Sequence, residues 1–90
     1  MIEYVMKEDR ALAMDGILQA GVCHFTEKDN VRTIDHTGVE DAYKGRGIAG
    51  ELVRMIAEDS AAKGIGLQAT CSYAKAQLAK HPEWSKDKAV

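Results

Sequence analysis

At 90 residues the chain is long enough for one domain, residues 1–90, near the small end of what folds alone and with little core to spare. A formal charge of −2 and a pI of about 5.9 offer nothing global to the polyanionic backbone of nucleic acid, so an anion site here has to be local. No window approaches membrane-spanning length, and Met1-Ile2-Glu3-Tyr4-Val5-Met6-Lys7-Glu8 lacks the basic and apolar regions of a targeting segment, which predicts a soluble cytoplasmic protein.

In chain order, Tyr4-Val5-Met6 reads as a short strand and Ala11-Leu12-Ala13-Met14 as a second, closed by the turn dipeptide Asp15-Gly16. Ile17 to Phe25 reads as a third strand interrupted near Gly21, with Cys23 and Phe25 alternating toward the core. The polar stretch Thr26 to Asn30 turns the chain into a fourth strand over Val31 to His36, and such short connections imply an antiparallel meander. From Gly47 the period changes from two to near 3.6. Ile48, Ala49, Leu52, Val53, Ile56, Ala57 and Ser60 share one face, opposite Glu51, Arg54, Glu58 and Lys63, and Lys63-Gly64 stops the helix. Ile65 to Thr70 returns as a strand, so strand, helix and strand imply a crossover to a parallel neighbour. A second helix runs from Ser72 as N-cap to Lys80 and ends before Pro82, and the polar tail 85–90 reads as frayed. The fold class is α+β, a mixed, mostly antiparallel sheet with a β-α-β-α C-terminal half.

The segment Lys44-Gly45-Arg46-Gly47-Ile48-Ala49 stands where the strands give way to the long helix. The first N–H groups of a helix have no intrahelical acceptor, and the helix dipole adds partial positive charge at the same end. Gly45 and Gly47 leave those amides uncovered, and Lys44 and Arg46 add cations beside them, which suits a phosphate or pyrophosphate. The bland alternative is an ordinary strand-to-helix turn. A Walker-type loop is disfavoured because no Gly-Lys-Ser/Thr follows. The dinucleotide fingerprint is disfavoured because Thr70 and Cys71 stand where an acidic residue is required.

Around this loop the chain resembles the GNAT superfamily of N-acetyltransferases, whose hallmark is Q/R-x-x-G-x-G/A opening a helix after a strand. Lys44 takes the first position, and Asp41 replaces the proline often found two residues after the valine matched by Val39. More narrowly it is similar to the minimal single-domain GNAT-like family, through His36-Thr37-Gly38-Val39, Cys71-Ser72-Tyr73 and His81-Pro82-Glu83-Trp84. The match runs from His36 to the C-terminus, and residues 1–30 agree only in strand pattern. The resemblance implies a GNAT-like fold in which the strands ending near Val39 and Cys71 splay apart to admit acetyl-CoA. Lys44, Gly45, Arg46, Gly47, Ile48 and Ala49 would hold the CoA pyrophosphate, and the Val39 backbone would pair with the pantetheine arm or stabilise the oxyanion formed at the thioester.

Two residues are candidates for the chemistry. Cys71, between a strand end and a helix start, is either a thiol activated by the helix dipole or a small apolar filler, and the resemblance favours a site role. It could contact the thioester, protonate the departing thiolate or accept the acetyl group transiently. His36 is either a base for the amine or for Cys71, or a hydrogen-bonded structural residue. Asp35 is expected on the opposite face of its strand. Larger relatives place a tyrosine acid in the middle of the last helix, where this chain has Ala76-Gln77-Leu78-Ala79, and Tyr73 reads as a packing residue. His81, Pro82 and Trp84 are expected to fold back over the body. Cys23 and Cys71 are expected as free thiols, and their spacing with His24 and His36 supports no metal site. The resulting function is acetyl-CoA-dependent acetylation of an unidentified amine, on a peptide or protein if the site is open. The rival is a non-catalytic acetyl-CoA or CoA-binding module.

Overall fold

The computed structural model describes residues 1–84, so the tail 85–90 lies outside the described residues. Five strands form one sheet in the order β1 (Ile2–Met6), β2 (Arg10–Asp15), β3 (Leu18–Lys28), β4 (Val31–Val39) and β5 (Gly66–Ala69). The first four are antiparallel neighbours, and β5 lies parallel to β4 after the crossover through α1 (Ile48–Ala62). A 3₁₀ turn (Asp41–Tyr43) precedes the glycine loop, α2 (Ser72–Lys80) follows β5, and a second 3₁₀ turn (Pro82–Trp84) brings Trp84 against the core cluster. The α+β class and the β-α-β-α C-terminal half are as the sequence predicts.

Several boundaries differ from the sequence reading, each for a local reason. The β2–β3 loop is Gly16-Ile17 rather than Asp15-Gly16, because Asp15 still pairs with Leu18 and only Gly16 (φ +62°) takes a positive φ. The β3–β4 turn shrinks to Asp29-Asn30, both left-handed (φ +53° and +65°), since these two side chains tolerate that region and the strands run on to Lys28 and Val31. Strand β4 continues to Val39 instead of ending at His36. The cap of α2 is Cys71, not Ser72. Cys71 leaves β5 extended (φ −71°, ψ 131°), and its carbonyl already accepts the Lys75 N–H at 2.9 Å. At the end of α1, Gly64 (φ +69°) completes a Schellman motif, with Ile65 N–H donating to Ser60 O and Gly64 N–H to Ala61 O.

Helix α1 buries Ile48, Leu52, Val53, Ile56, Ala57 and Ser60 against one face of the sheet, where Ala11, Ala13, Ala20, Cys23, Phe25 and Ile34 meet it. Gly21 explains how its first turn seats so low. A Cβ there would stand 3.2 Å from Gly38 O, 3.2 Å from Ile48 Cγ2 and 3.3 Å from Leu52 Cδ1. Arg32 is buried on the same side. Its guanidinium bonds Asp59 (2.7 Å), Ser60 (3.1 Å) and Glu27 (3.1 Å) and lies over the Phe25 ring at 4.7 Å. This ties β4 to the end of α1, which fixes the strand and the helix that flank the glycine loop.

Candidate functional site

Gly45 (φ +84°) and Gly47 (φ +77°) both lie in the left-handed region with open space where a Cβ would stand, so backbone conformation and not crowding calls for glycine. Gly47 caps α1, and the first bond of the helix runs from Glu51 N–H to Gly47 O at 3.1 Å. Among the described residues, none of the N–H groups of Gly45, Arg46, Gly47, Ile48, Ala49 and Gly50 donates to a backbone carbonyl. The result is a row of unpaired donors at the positive end of a 15-residue helix.

Gly45, Gly47, Ile48 and Ala49 of this row border a groove of about 470 Å³, lined also by Thr37, Gly38 and Val39 of β4, by Tyr43 and Lys44, and by Tyr73 of α2. The groove exists because the parallel pairing of β4 with β5 stops at Ile34 and Ala69 while β4 runs five residues further. Beyond that point Thr70 N–H and Cys71 N–H both turn back onto Ile34 O, at 2.9 and 3.3 Å. Glu40 N–H donates to Ala20 O of β3. Strand alternation therefore aims the N–H and C=O of Val39 at the opposite edge, the one β5 has vacated.

A bulge in β4 decides which side chains share a face. His24 pairs with His36 and Phe25 with Ile34, leaving Asp35 as the extra residue. Ile34 and Thr37 face the helices. His36 lies over Gly38 on the other face, its Nε2 3.2 Å from where a Gly38 Cβ would stand. Asp35 is on that face too, bonded to His24 Nδ1 at 2.7 Å, and so is not opposite His36 as unbroken alternation predicts. His24 Nε2 also reaches Asp9 at 3.4 Å.

Cys71 lies on the helix side. Its Sγ is 3.6 Å from Thr37 Oγ1, and the same hydroxyl lies 3.5 Å from Cys23 Sγ. No hydrogen bond joins His36 to Cys71 among the described residues; Cys71 meets the neighbouring Thr37 instead. Burial works to raise the Cys71 pKa, but the Ala74 amide, the Thr37 hydroxyl and the Tyr73 and Thr37 amides outweigh it and hold the thiol below its ordinary value. Cys23, fully enclosed, is pushed up to about 11 by burial. Both cysteines are free thiols. Tyr73 sets its hydroxyl against Gly50 in the first turn of α1, and burial followed by the charge of Cys23 raises its pKa.

The cations of the loop are differently engaged. Lys44 pairs with Asp41 at 3.1 Å, both exposed, whereas Arg46 stands over the Tyr43 ring at 5.1 Å. Tyr43 in turn donates its hydroxyl to Asp15 Oδ2 at 2.6 Å. Sequence reasoning met Thr37 within a motif, Tyr43 beside the glycine loop and Asp15 in a turn, but gave none of them a role. Thr37 was within reach, since it lies two residues before Val39 on the same face. Asp15 was not, because 28 residues separate it from Tyr43.

A family model for the GCN5-related N-acetyl-transferases matches residues 3–87. The chain belongs to this family. The fold also resembles the NMR solution structure of a GCN5-like protein from Staphylococcus aureus, with a TM-score of 0.73 and 26% identity over 91% of this chain and 82% of that one. No curated protein matches the chain. Members of the GCN5-related family in general take the acetyl group from acetyl-CoA and pass it to an amine. The donor set fits such a ligand: unpaired amides at a helix N-terminus suit a pyrophosphate, and a free strand edge leading away from them suits an amide-bearing arm. No helix among the described residues is long and apolar enough to cross a membrane.

Proposed function

We propose that this protein transfers an acetyl group from acetyl-CoA to a primary amine carried by a peptide or protein, acting in the cytoplasm. The observation that carries the reading is the continuity between the unpaired amides of Gly45, Gly47, Ile48 and Ala49 and the vacated edge of β4 at Val39, both on the groove. The amides of Gly45 to Ala49 hold the pyrophosphate, with the Arg46 charge beside them, and the Val39 backbone takes up the arm. Bound acetyl-CoA supplies an activated acyl carbon. As the amine attacks, negative charge builds on the thioester oxygen, where the Val39 N–H donates.

The two faces of β4 divide the remaining work. Cys71, on the helix side with its thiol held below its ordinary pKa, lies toward the sulfur end of the arm, where it assists acyl transfer. His36, on the uncovered face of the sheet, takes the proton of the incoming ammonium. The acceptor enters from that uncovered face, which suits a macromolecular amine better than a small enclosed one.

The test is titration with acetyl-CoA followed by backbone NMR, then incubation with labelled acetyl-CoA and a panel of amines and basic peptides read by mass spectrometry. Shifts in residues 44–49 with label on an amine are expected. No shift at millimolar ligand overturns the reading, and binding without transfer to any amine or to Cys71 reassigns the protein as a CoA-binding module. Replacing His36 or Cys71 by alanine is expected to lower kcat about 100-fold with little change in the KM for acetyl-CoA.

A further inference from the structure

The amide row is made of neutral dipoles, whereas the nucleotide end of CoA carries several negative charges, so the cations at the loop decide how well that end is held. Lys44 is already paired with Asp41, whereas Arg46 makes no ion pair among the described residues and rests on the Tyr43 ring. Arginine is costly to immobilise because it has many rotamers, and an aromatic face removes that freedom before the ligand arrives.

The ring is itself held from a distance. Asp15 is the last residue of β2, paired to Ile2 on one side and Leu18 on the other, which makes it a rigid anchor. Its carboxylate accepts the Tyr43 hydroxyl at 2.6 Å, and the Tyr43 hydrogen bond is foremost in holding Asp15 below the usual carboxylate range. A phenol that donates to a carboxylate gains electron density on its ring, which strengthens the attraction of that face for a guanidinium.

We propose that Asp15 is a positioning residue for the phosphate loop: through the Tyr43 hydroxyl it fixes the ring that carries Arg46, and so presents the Arg46 guanidinium to the phosphates of a CoA thioester. This rests on the CoA reading above. It makes the β2–β3 turn, remote in sequence from the glycine loop, a determinant of preference for CoA over its phosphate-free arm.

The test compares CoA with pantetheine, which has the arm but no phosphates, by calorimetric or NMR titration of the wild type, Asp15→Ala, Tyr43→Phe, Arg46→Gln and the double variant Asp15→Ala/Arg46→Gln. Asp15→Ala and Tyr43→Phe are each expected to weaken CoA by about 3- to 10-fold and to leave pantetheine unchanged. The double variant should bind CoA no more weakly than Arg46→Gln alone. In the ligand-free protein, the upfield ring-current shift of the Arg46 side-chain protons should shrink in Asp15→Ala. An unchanged CoA affinity in Asp15→Ala, additive losses in the double variant, or an equal loss for pantetheine overturns the positioning role. A wild type that binds no CoA overturns the CoA reading and this proposal together. The ring-current shift then still reports whether Asp15 holds the Tyr43–Arg46 contact.

Discussion

Cys23 and Cys71 carry the same thiol and acquire opposite chemistry from their surroundings. Cys23 is sealed in the core, where burial pushes its pKa up to about 11 and keeps it protonated. For Cys71 burial acts in the same direction, but the amides at the start of α2 and the Thr37 hydroxyl prevail and lower it. The thiolate is therefore populated from a lower pH upward than in an ordinary cysteine. Iodoacetamide at neutral pH should add one group, on Cys71, leaving Cys23 intact until denaturant is added. The rate should rise at lower pH than for an ordinary cysteine thiol, and equal labelling of both cysteines would contradict this. Its position at a strand-to-helix joint left Cys71 open in the sequence between an activated thiol and an apolar filler. Its partner Thr37 received no role, although its spacing from Val39 put it within reach; what no period-two pattern shows is the bulge at Asp35, which sets Thr37 and Ile34 on the same face.

At the scale of elements, the seat of α1 on the sheet governs the site, since the helix's first turn supplies the donors. Gly21 allows that seat, and Gly21→Ala would press a methyl group against Gly38 O, which is backbone, and against buried Ile48 and Leu52. The expected cost is about 1–2 kcal/mol, a fall in Tm of roughly 5–15 °C, together with weaker acetyl-CoA binding as Ile48 is displaced. An unchanged Tm would show that the helix lifts freely. The other end of α1 is held by Arg32 and Asp59. Burial works to raise the Asp59 pKa, and Arg32 and Lys63 outweigh it, so the folded value lies below the unfolded one. Its stabilisation is thus present above the ordinary aspartate value and is lost as pH falls through the depressed one. Asp59→Asn should cost roughly 2 kcal/mol at neutral pH, and denaturant melts should show the gap from wild type closing as the pH drops below the aspartate range. The amphipathic period of α1 was plain in the sequence, but the buried arginine beneath it was not, because a lone charge in a strand reads as solvent-facing until its partners from a distant helix are known.

For the whole molecule, small size makes ligand binding a large fraction of stability. Acetyl-CoA at a hundred times its Kd stabilises by about 2.7 kcal/mol, so a thermal melt should rise by roughly 10–20 °C, and no rise at millimolar ligand would contradict the proposed function. The sequence by itself determined the strand and helix periods, the helix stops, the need for glycine at 45 and 47, and the family motifs from His36 onward. These are local properties, set by backbone dihedrals and side-chain spacing within a few residues. The family resemblance already implied that β4 and β5 part; only the tertiary structure decided that they do so at Ile34 and Ala69, that a bulge puts Asp35 and His36 together on the uncovered face, and that Cys71 lies on the other side against Thr37. It alone joined Asp15 to Tyr43, because pairing across strands is fixed by register and long-range packing, which no window of sequence contains.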